Sequence, residues 1–449
     1  MKRLNIAMLA NQADQTQAEQ IEEQQTELEV VGQQAEDAIA EATQIQAEIE
    51  STQQAADEAE EVVQEVEEER QVLEQAQEQG GAEPVAMEAL QRAVARFQKR
   101  TGVACSVTGM GLESFSSKAT RVQATKVAME GAVEYIKKLI KMLTDAMAAV
   151  WEKVKAFVEK IMVGADRLGK RAKQIEAAAK AAQGKTAPAD AVIKTGSVLA
   201  FARKDDKVVE GKAFADTYIK ETSENYEGRV ATKKAIEEFV KGEEPVKLLD
   251  LAAKADGKDA LVAAAVAAQT PLGEGKVVDG LLTHEGERML GEYAITQVTV
   301  AKDATWEQLS AGYSKVKTAV GRATDAKDDV VKEVAPMSAE DAKRVAYQAA
   351  GHMSSFAKMR EEQVAIGNEI KKIVAKAKSL EKVKDAPVDQ LRVATGMIRS
   401  VTSAAMGMMV SVRAYDVNLT KAALDYAAAS VKAATGKGAE STGTQVAVV

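Results

Sequence analysis

Between Leu4 and Glu69 the chain carries no lysine, no arginine and no aromatic residue, and yet its apolar side chains keep a seven-residue rhythm. One series, at heptad position a, reads Ile21, Leu28, Ala35, Ala42, Ile49, Ala56, Val63, Arg70, and the d series reads Gln24, Val31, Ala38, Ile45, Thr52, Ala59, Val66, Leu73. Thirteen of these sixteen positions are apolar. Over eight heptads that predicts one coiled-coil-like helix of roughly 80 Å. Its seam is anchored by Ile21, Leu28, Val31, Ile45, Ile49, Val63, Val66 and Leu73, and Gly80-Gly81 ends it, because helix propensity fails there. The flanks are one-signed: Glu27, Glu41, Glu48, Glu60, Glu67, Glu69 and Glu74 have no basic complement. A parallel homodimer would set like charges side by side, and the many seam alanines weaken it further. Two readings stay open, a solvated acidic helix or disordered tail, and a segment for transient assembly, by self-association or against a basic partner.

The sign of the charge changes once along the chain. Residues 1–113 hold 24 Asp+Glu against 7 Lys+Arg, and the rest hold 44 against 52, so a formal charge of -9 conceals a segment of -17 and a body of +8. The switch falls in the Gly- and Ser-bearing stretch from Thr101 to Ser114, which has turn chemistry.

The pattern divides the 449 residues into an acidic segment (1–80), a short helix with a flexible linker (81–113), a long basic amphipathic helix (114–183), a compact middle domain (184–340), a basic C-terminal helical bundle (341–437) and a loose tail (438–449). Pro84 suits the first turn of the short helix. The long helix shows apolar residues in steps of three and four from Val122 to Ile161, broken only by Lys126, which predicts packing in a bundle. Segment 114–183 has 14 basic and 7 acidic side chains, and 341–437 has 16 and 9. In the middle domain Ala294–Val300, Val192-Ile193 and Val198-Leu199 are candidate short strands, and the Ala-rich run 260–268 is a helix. Ser338 opens a helix, Asp385-Ala386-Pro387 separates two, and the Met-rich run 396–412 suits close packing. The fold class is mainly α: a long acidic N-terminal coiled-coil-like helix, then an elongated helical-bundle body with a small mixed α/β or short-helix middle domain.

Enzyme signals are poor. One cysteine (Cys105) and two histidines leave no disulfide framework and no Cys/His zinc cluster. His284-Glu285-Gly286-Glu287-Arg288 lacks the second histidine of a zinc protease helix and reads as a surface turn, while His352 suits a capping or core role. Gly109-Met110-Gly111 is too short for a phosphate-cradling loop. No active site and no cofactor are expected. The apolar run Leu4–Ala10 is too short for a secretory signal, and no stretch reaches the roughly 20 apolar residues of a membrane span. The basic excess lies along helix faces without aromatic interleaving, which excludes base reading and permits nonspecific phosphate contact.

An acidic coil-like leader, a small-x-Glu site at Gly111-Leu112-Glu113 before Ser114-Phe115, a basic helical body and a C-terminal run from Val412 to Tyr426 together resemble the internal head (inner-body or prohead core) proteins of large contractile-tailed phages. The resemblance implies a non-enzymatic virion protein whose leader a prohead protease removes after Glu113. It further implies capsid and prohead core partners, nonspecific contact with packaged DNA, no membrane, and a place in the head interior after assembly in the host cytoplasm. Small-x-Glu recurs at Ala128-Met129-Glu130, Gly438-Ala439-Glu440 and Gly81-Ala82-Glu83. The first falls inside a predicted helix and the third precedes Pro84, so Glu113 is preferred. Two rival classes are a non-viral coiled-coil scaffold, which would keep its acidic coil, and an α-helical membrane-active protein acting through the stripe of 119–163.

Overall fold

A computed structural model describes residues 2–103, 117–224, 226–254, 257–327, 329–380 and 387–436, with side chains outside 2–32, 227–229, 231 and 380. The chain opens with α1 (Lys2–Glu78), α2 (Pro84–Thr101) and α3 (Lys118–Ala181). α3 starts on a reciprocal cap: Ser117 Oγ accepts from the Thr120 N–H at 3.2 Å, and Thr120 Oγ1 accepts from the Ser117 N–H at 3.0 Å. Its stripe is buried through Ile136, Leu143, Met147, Val150, Val154, Phe157 and Ile161, while Lys126 is exposed.

The middle region begins with α4 (Gly196–Phe201), the hairpin β1 (Arg203–Lys204) and β2 (Lys207–Val208), α5 (Gly211–Glu221), α6 (Glu227–Lys241), α7 (Glu244–Ala252) and α8 (Lys258–Ala267). A four-stranded antiparallel meander follows in the order β3 (Lys276–Val278), β4 (Leu281–Glu285), β5 (Tyr293–Val300), β6 (Lys317–Arg322), with α9 (Trp306–Gly312) between the last two. Both tight hairpins have left-handed centres: Asp205 and Asp206 at φ 52° and 61°, Asp279 and Gly280 at 51° and 76°. Two such residues make the turn whose twist matches the strands.

Two expectations need correction. Val198-Leu199 is helical, within α4. Of Val192-Ile193 only Ile193 pairs, in a single antiparallel bridge to Val334. Short β-branched runs do not separate strand from helix, and here buried Val198 faces the helical core. His284 also differs from the turn expected of it: it lies in β4, half-buried, with Nδ1 2.7 Å from the Glu274 carbonyl.

The C-terminal helices are α10 (Ala339–Ser355), α11 (Met359–Leu380), α12 (Val388–Gly407) and α13 (Arg413–Thr435). Ser338 caps α10, accepting from the Asp341 N–H at 3.0 Å. α12 runs into α13 through a π turn, Met408–Val412. There Ser411 Oγ donates to the Gly407 carbonyl at 2.6 Å and accepts from the Val320 N–H of β6 at 3.1 Å, which docks the sheet on the helical layer. The run Val388–Thr435 is long and apolar enough to cross a membrane by length and composition, against expectation. Inside the protein 83% of its most apolar window is buried, so here it is a core helix. His352 of α10 is buried too, edge-on to Phe356 at 5.6 Å.

α3 is the axis of the molecule, touched by α1 and by α10, α11, α12 and α13. The largest apolar cluster runs from Ala35 of α1 through the middle region to Val431 of α13, so acidic helix, middle region and C-terminal helices share it. Tyr426 illustrates the stitching: its hydroxyl accepts from the Gly211 N–H at 2.8 Å and donates to the Ala335 carbonyl, while its ring meets Phe214 edge-on at 5.1 Å.

The turn after α1 is held at Gly81, whose φ is +98° and whose added Cβ would lie 2.7 Å from the Arg121 carbonyl carbon. The next residue, Ala82, donates its N–H to Thr125 Oγ1 at 2.8 Å. Gly81→Ala is therefore expected to cost at least about 1–2 kcal/mol from the left-handed backbone alone. A lowered denaturant midpoint checks this, and an unchanged midpoint contradicts it.

Candidate functional site: an acidic helix on a basic body

The described seam residues of α1 face inward. Ile49, Val63, Val66 and Leu73 are at most 3% exposed and Ile45 is half-buried, whereas the side chains of Ile21, Leu28 and Val31 lie outside the described residues. What covers the seam is the same chain. Ile39, Ala42 and Ile49 pack in the cluster that holds Val154, Phe157 and Ile161 of α3. Ala59, Val62, Val63, Val66 and Leu73 join Met87, Leu90, Val94 and Phe97 of α2 with Ile136 and Leu139 of α3. Small alanines at positions 35, 38, 42, 56 and 59 are all buried and let the helices approach closely.

Ion pairs fix the direction. Glu48 meets Lys153 at 3.2 Å, Glu41 meets Lys160, and Arg167 donates to the Gln34 carbonyl, so each step up α1 is a step down α3 and the pair is antiparallel. Lys421 of α13 reaches Glu36 at 3.1 Å. Arg100 of α2 bridges Glu65 at 2.9 Å and Glu61 at 3.3 Å. Glu36, Glu41, Glu48, Glu61 and Glu65 thus find their cations on other helices of the chain. Arg70, which breaks the a series, folds back on Glu67 at 2.9 Å and Glu74 at 3.2 Å.

Magnitudes separate the roles of the two kinds of contact. Fully burying Ile39, Ile49, Val62, Val63, Val66 and Leu73 contributes about 1.5–3 kcal/mol each, as an upper bound. Exposed ion pairs contribute about 0–1 kcal/mol each and weaken with salt. Apolar burial therefore supplies the strength of docking, and the charges supply register and orientation.

One pair is different in kind. Arg399 of α12 directs Nε to Glu60 Oε2 at 2.7 Å, Nη2 to the same oxygen at 2.5 Å and Nη1 to Asp57 Oδ1 at 2.6 Å. The Arg399 and Glu60 side chains are 6% and 4% exposed. Burial works against the Arg399 charge, but Glu60 and Asp57 hold its pKa above the ordinary value. Beside them Tyr313 accepts from Arg392 Nη1 at 3.0 Å. Burial first, and the Glu60 charge second, push the Tyr313 phenol well above its usual range. Gly396 makes this approach fit, since an added Cβ would lie 2.2 Å from Glu60 Oε1 and 2.1 Å from the Tyr313 ring. The heptad pattern marks Glu60 only as an acidic flank, and its partner is 339 residues away, so nothing local announces Arg399.

Gly111, Leu112, Glu113 and Ser114, with Cys105, lie outside the described residues, which stop at Val103 and resume at Ser117. Of the competing small-x-Glu sites, Ala128-Met129-Glu130 is inside α3, and Gly81-Ala82-Glu83 is the turn pinned on Thr125, with Ala82 buried. A cleft of about 580 Å³ lies between the α6–α7 turn, β5, β6 and α12, lined among others by Lys234, Phe239, Thr299, Thr318 and Met408. Among the described residues no group of three or more His, Cys, Asp or Glu is placed to hold a metal.

Arg399→Met would leave Glu60 buried without its cation, which costs about 3–5 kcal/mol when one partner of a buried pair is removed. The expected result is a matching drop in denaturation stability with faster hydrogen exchange along α1. Adding Glu60→Leu should recover most of it, and a double variant no better than the single one contradicts the assignment.

No curated protein and no solved structure matches the chain. A family model described as phiKZ-like phage internal head proteins matches residues 13–429, a span that takes in most of the acidic helix, the axis α3, the middle region and most of α13. The chain belongs to the phiKZ-like phage internal head proteins.

Proposed function

We propose that this protein is a structural component of the head interior that enters the assembling prohead with its acidic helix docked, and that a prohead protease then cuts after Glu113. Membership of an internal head protein family supports the structural role and the place inside the head. The observation that carries the rest is the docking itself: an acidic helix lies on cations of α3, α12 and α13, and the chain reverses sign in the segment that joins it to them. In that segment Gly111-Leu112-Glu113-Ser114 falls between α2 and α3.

The mechanism follows from the charges. Packaged DNA is a dense polyanion, so a -17 leader is repelled by it and a +8 body is not. While the leader is present its carboxylates neutralise body cations and keep the precursor acidic overall, suited to basic surfaces of capsid or prohead core proteins. Removing it leaves the basic remainder beside DNA.

Mass spectrometry of mature heads tests the proposal. The expected outcome is a protein beginning at Ser114, with peptides from residues 20–75 depleted relative to the body. Peptides from residues 20–75 at full abundance would overturn it.

A further inference from the structure

Five cations of the body have their partners on α1: Lys153, Lys160 and Arg167 of α3, Arg399 of α12 and Lys421 of α13. The three on α3 are spaced by seven residues, so they form one row with about 10 Å between members. Arg399 adds a rigid fork, seated beside Gly396 and Tyr313 and already holding two carboxylates. Lys421 is shared with Asp425 of its own helix at 3.3 Å, which keeps part of its charge engaged. α1 presents oxyanions to these five cations at Glu36, Glu41, Glu48, Asp57 and Glu60, and a main-chain oxygen at Gln34.

We infer that the face of the body beneath α1 is a binding surface for the phosphate backbone of duplex DNA, and that α1 occupies it in cis as a polyanion mimic. This rests on the proposal that α1 leaves the body. Charge density sets which polyanion the cations themselves favour. Residues 33–78 hold 15 acidic side chains and one basic, a net -14. Over about 69 Å of helix that is one negative charge per about 5 Å. Duplex DNA carries one per about 1.7 Å, roughly three times as many per unit length. In the intact chain the helix still wins, because it is tethered and because its seam is buried. Cutting the tether removes the first of these advantages and leaves the seam, so that DNA in excess competes for the cations and, where it prevails, the carboxylates of α1 leave with their helix. Arginine forks suit phosphate as they suit carboxylate, so Arg399 accepts either occupant.

The test uses the full chain carrying a site-specific protease sequence between Val103 and Ser117, assayed before and after cutting against a fluorescent 30-base-pair duplex at 50, 100 and 200 mM salt. The intact chain is expected to bind weakly. The cut chain should bind at least tenfold more tightly at 50 mM, shedding α1, with a log–log salt slope of about -4.5 for five phosphate contacts. Lys153→Gln, Lys160→Gln and Arg167→Gln together should bring that slope to about -1.8. The charge-matched set Lys233→Gln, Lys234→Gln and Lys241→Gln, on the exposed surface of α6, should leave it unchanged.

A second arm needs no cut. Intact chain with Glu36→Gln, Glu41→Gln and Glu48→Gln should gain DNA affinity over Asp37→Asn, Glu50→Gln and Glu58→Gln, which remove the same charge from exposed residues not paired with the body row. Equal affinity of cut and intact chains overturns the inference, as does an α1 that stays bound alongside DNA, or a slope indifferent to the α3 row. Tighter binding to phosphatidylserine vesicles than to DNA overturns it in favour of a membrane surface. None of these outcomes depends on whether Glu113 is cut in the virion, so this inference and the proposed processing can fail separately.

Discussion

The structure depends on burying one face of a helix that has no cation of its own between Leu4 and Glu69. Such a helix repels itself along its length, since like charges one turn apart destabilise it. It can be ordered only where apolar burial is large and opposite charge lies at the edges. α3 meets both needs: one side buries Val154, Phe157 and Ile161 with the seam, and Lys153, Lys160 and Arg167 flank it. The antiparallel direction places the α1–α2 turn on Thr125, near the start of α3, and sets Glu60 against α12. Much of the architecture follows, because α3 also carries the C-terminal helices around which the middle region is stitched.

Arg399 shows how selection by charge differs from strength of attachment. The apolar seam would tolerate small shifts of register, because alanines at positions 35, 38, 42, 56 and 59 are nearly interchangeable. A guanidinium that joins Glu60 through Nε and Asp57 through Nη1, fitted against Gly396 and Tyr313, does not tolerate such a shift. A slip of one heptad in one direction would set neutral Gln53 where Glu60 stands and leave the arginine without its buried carboxylate. The opposite slip would bring Glu67, but Gln64 would then replace Asp57, and Glu67 would be drawn from Arg70. The pair thus acts as a register pin, and the apolar area does the holding.

Periodicity made the helices legible. The heptad of α1, the three-four stripe of α3, Pro84 at the head of α2 and Ser338 before α10 each state a local rule that the fold obeys. Short elements were less legible. Val198-Leu199 has strand composition but lies in α4, because its surroundings are helical and propensity yields to packing. The Asp279-Gly280 dipeptide is a local hairpin signal, and it joins the first two strands of the four-stranded sheet, whose edges composition alone does not outline. The candidate site was half visible. The sequence displays an acidic flank with missing partners, but pairing Glu60 with Arg399 spans 339 residues and needs the tertiary fold.

A cut between α2 and α3 would not by itself separate the two parts, because the seam that holds α1 contributes far more than the exposed ion pairs at its edges. What a cut changes is concentration: a contact made within one chain becomes a contact between two molecules that dilution and competition can oppose. Once undocked, residues 33–78 keep a net charge of -14 with no cation of the body beside them, so helix and dock are lost together. Rebinding would then require refolding against the body. Such a cut would turn a reversible contact into a one-way step through the same charge pattern that makes the helix dependent on its partner.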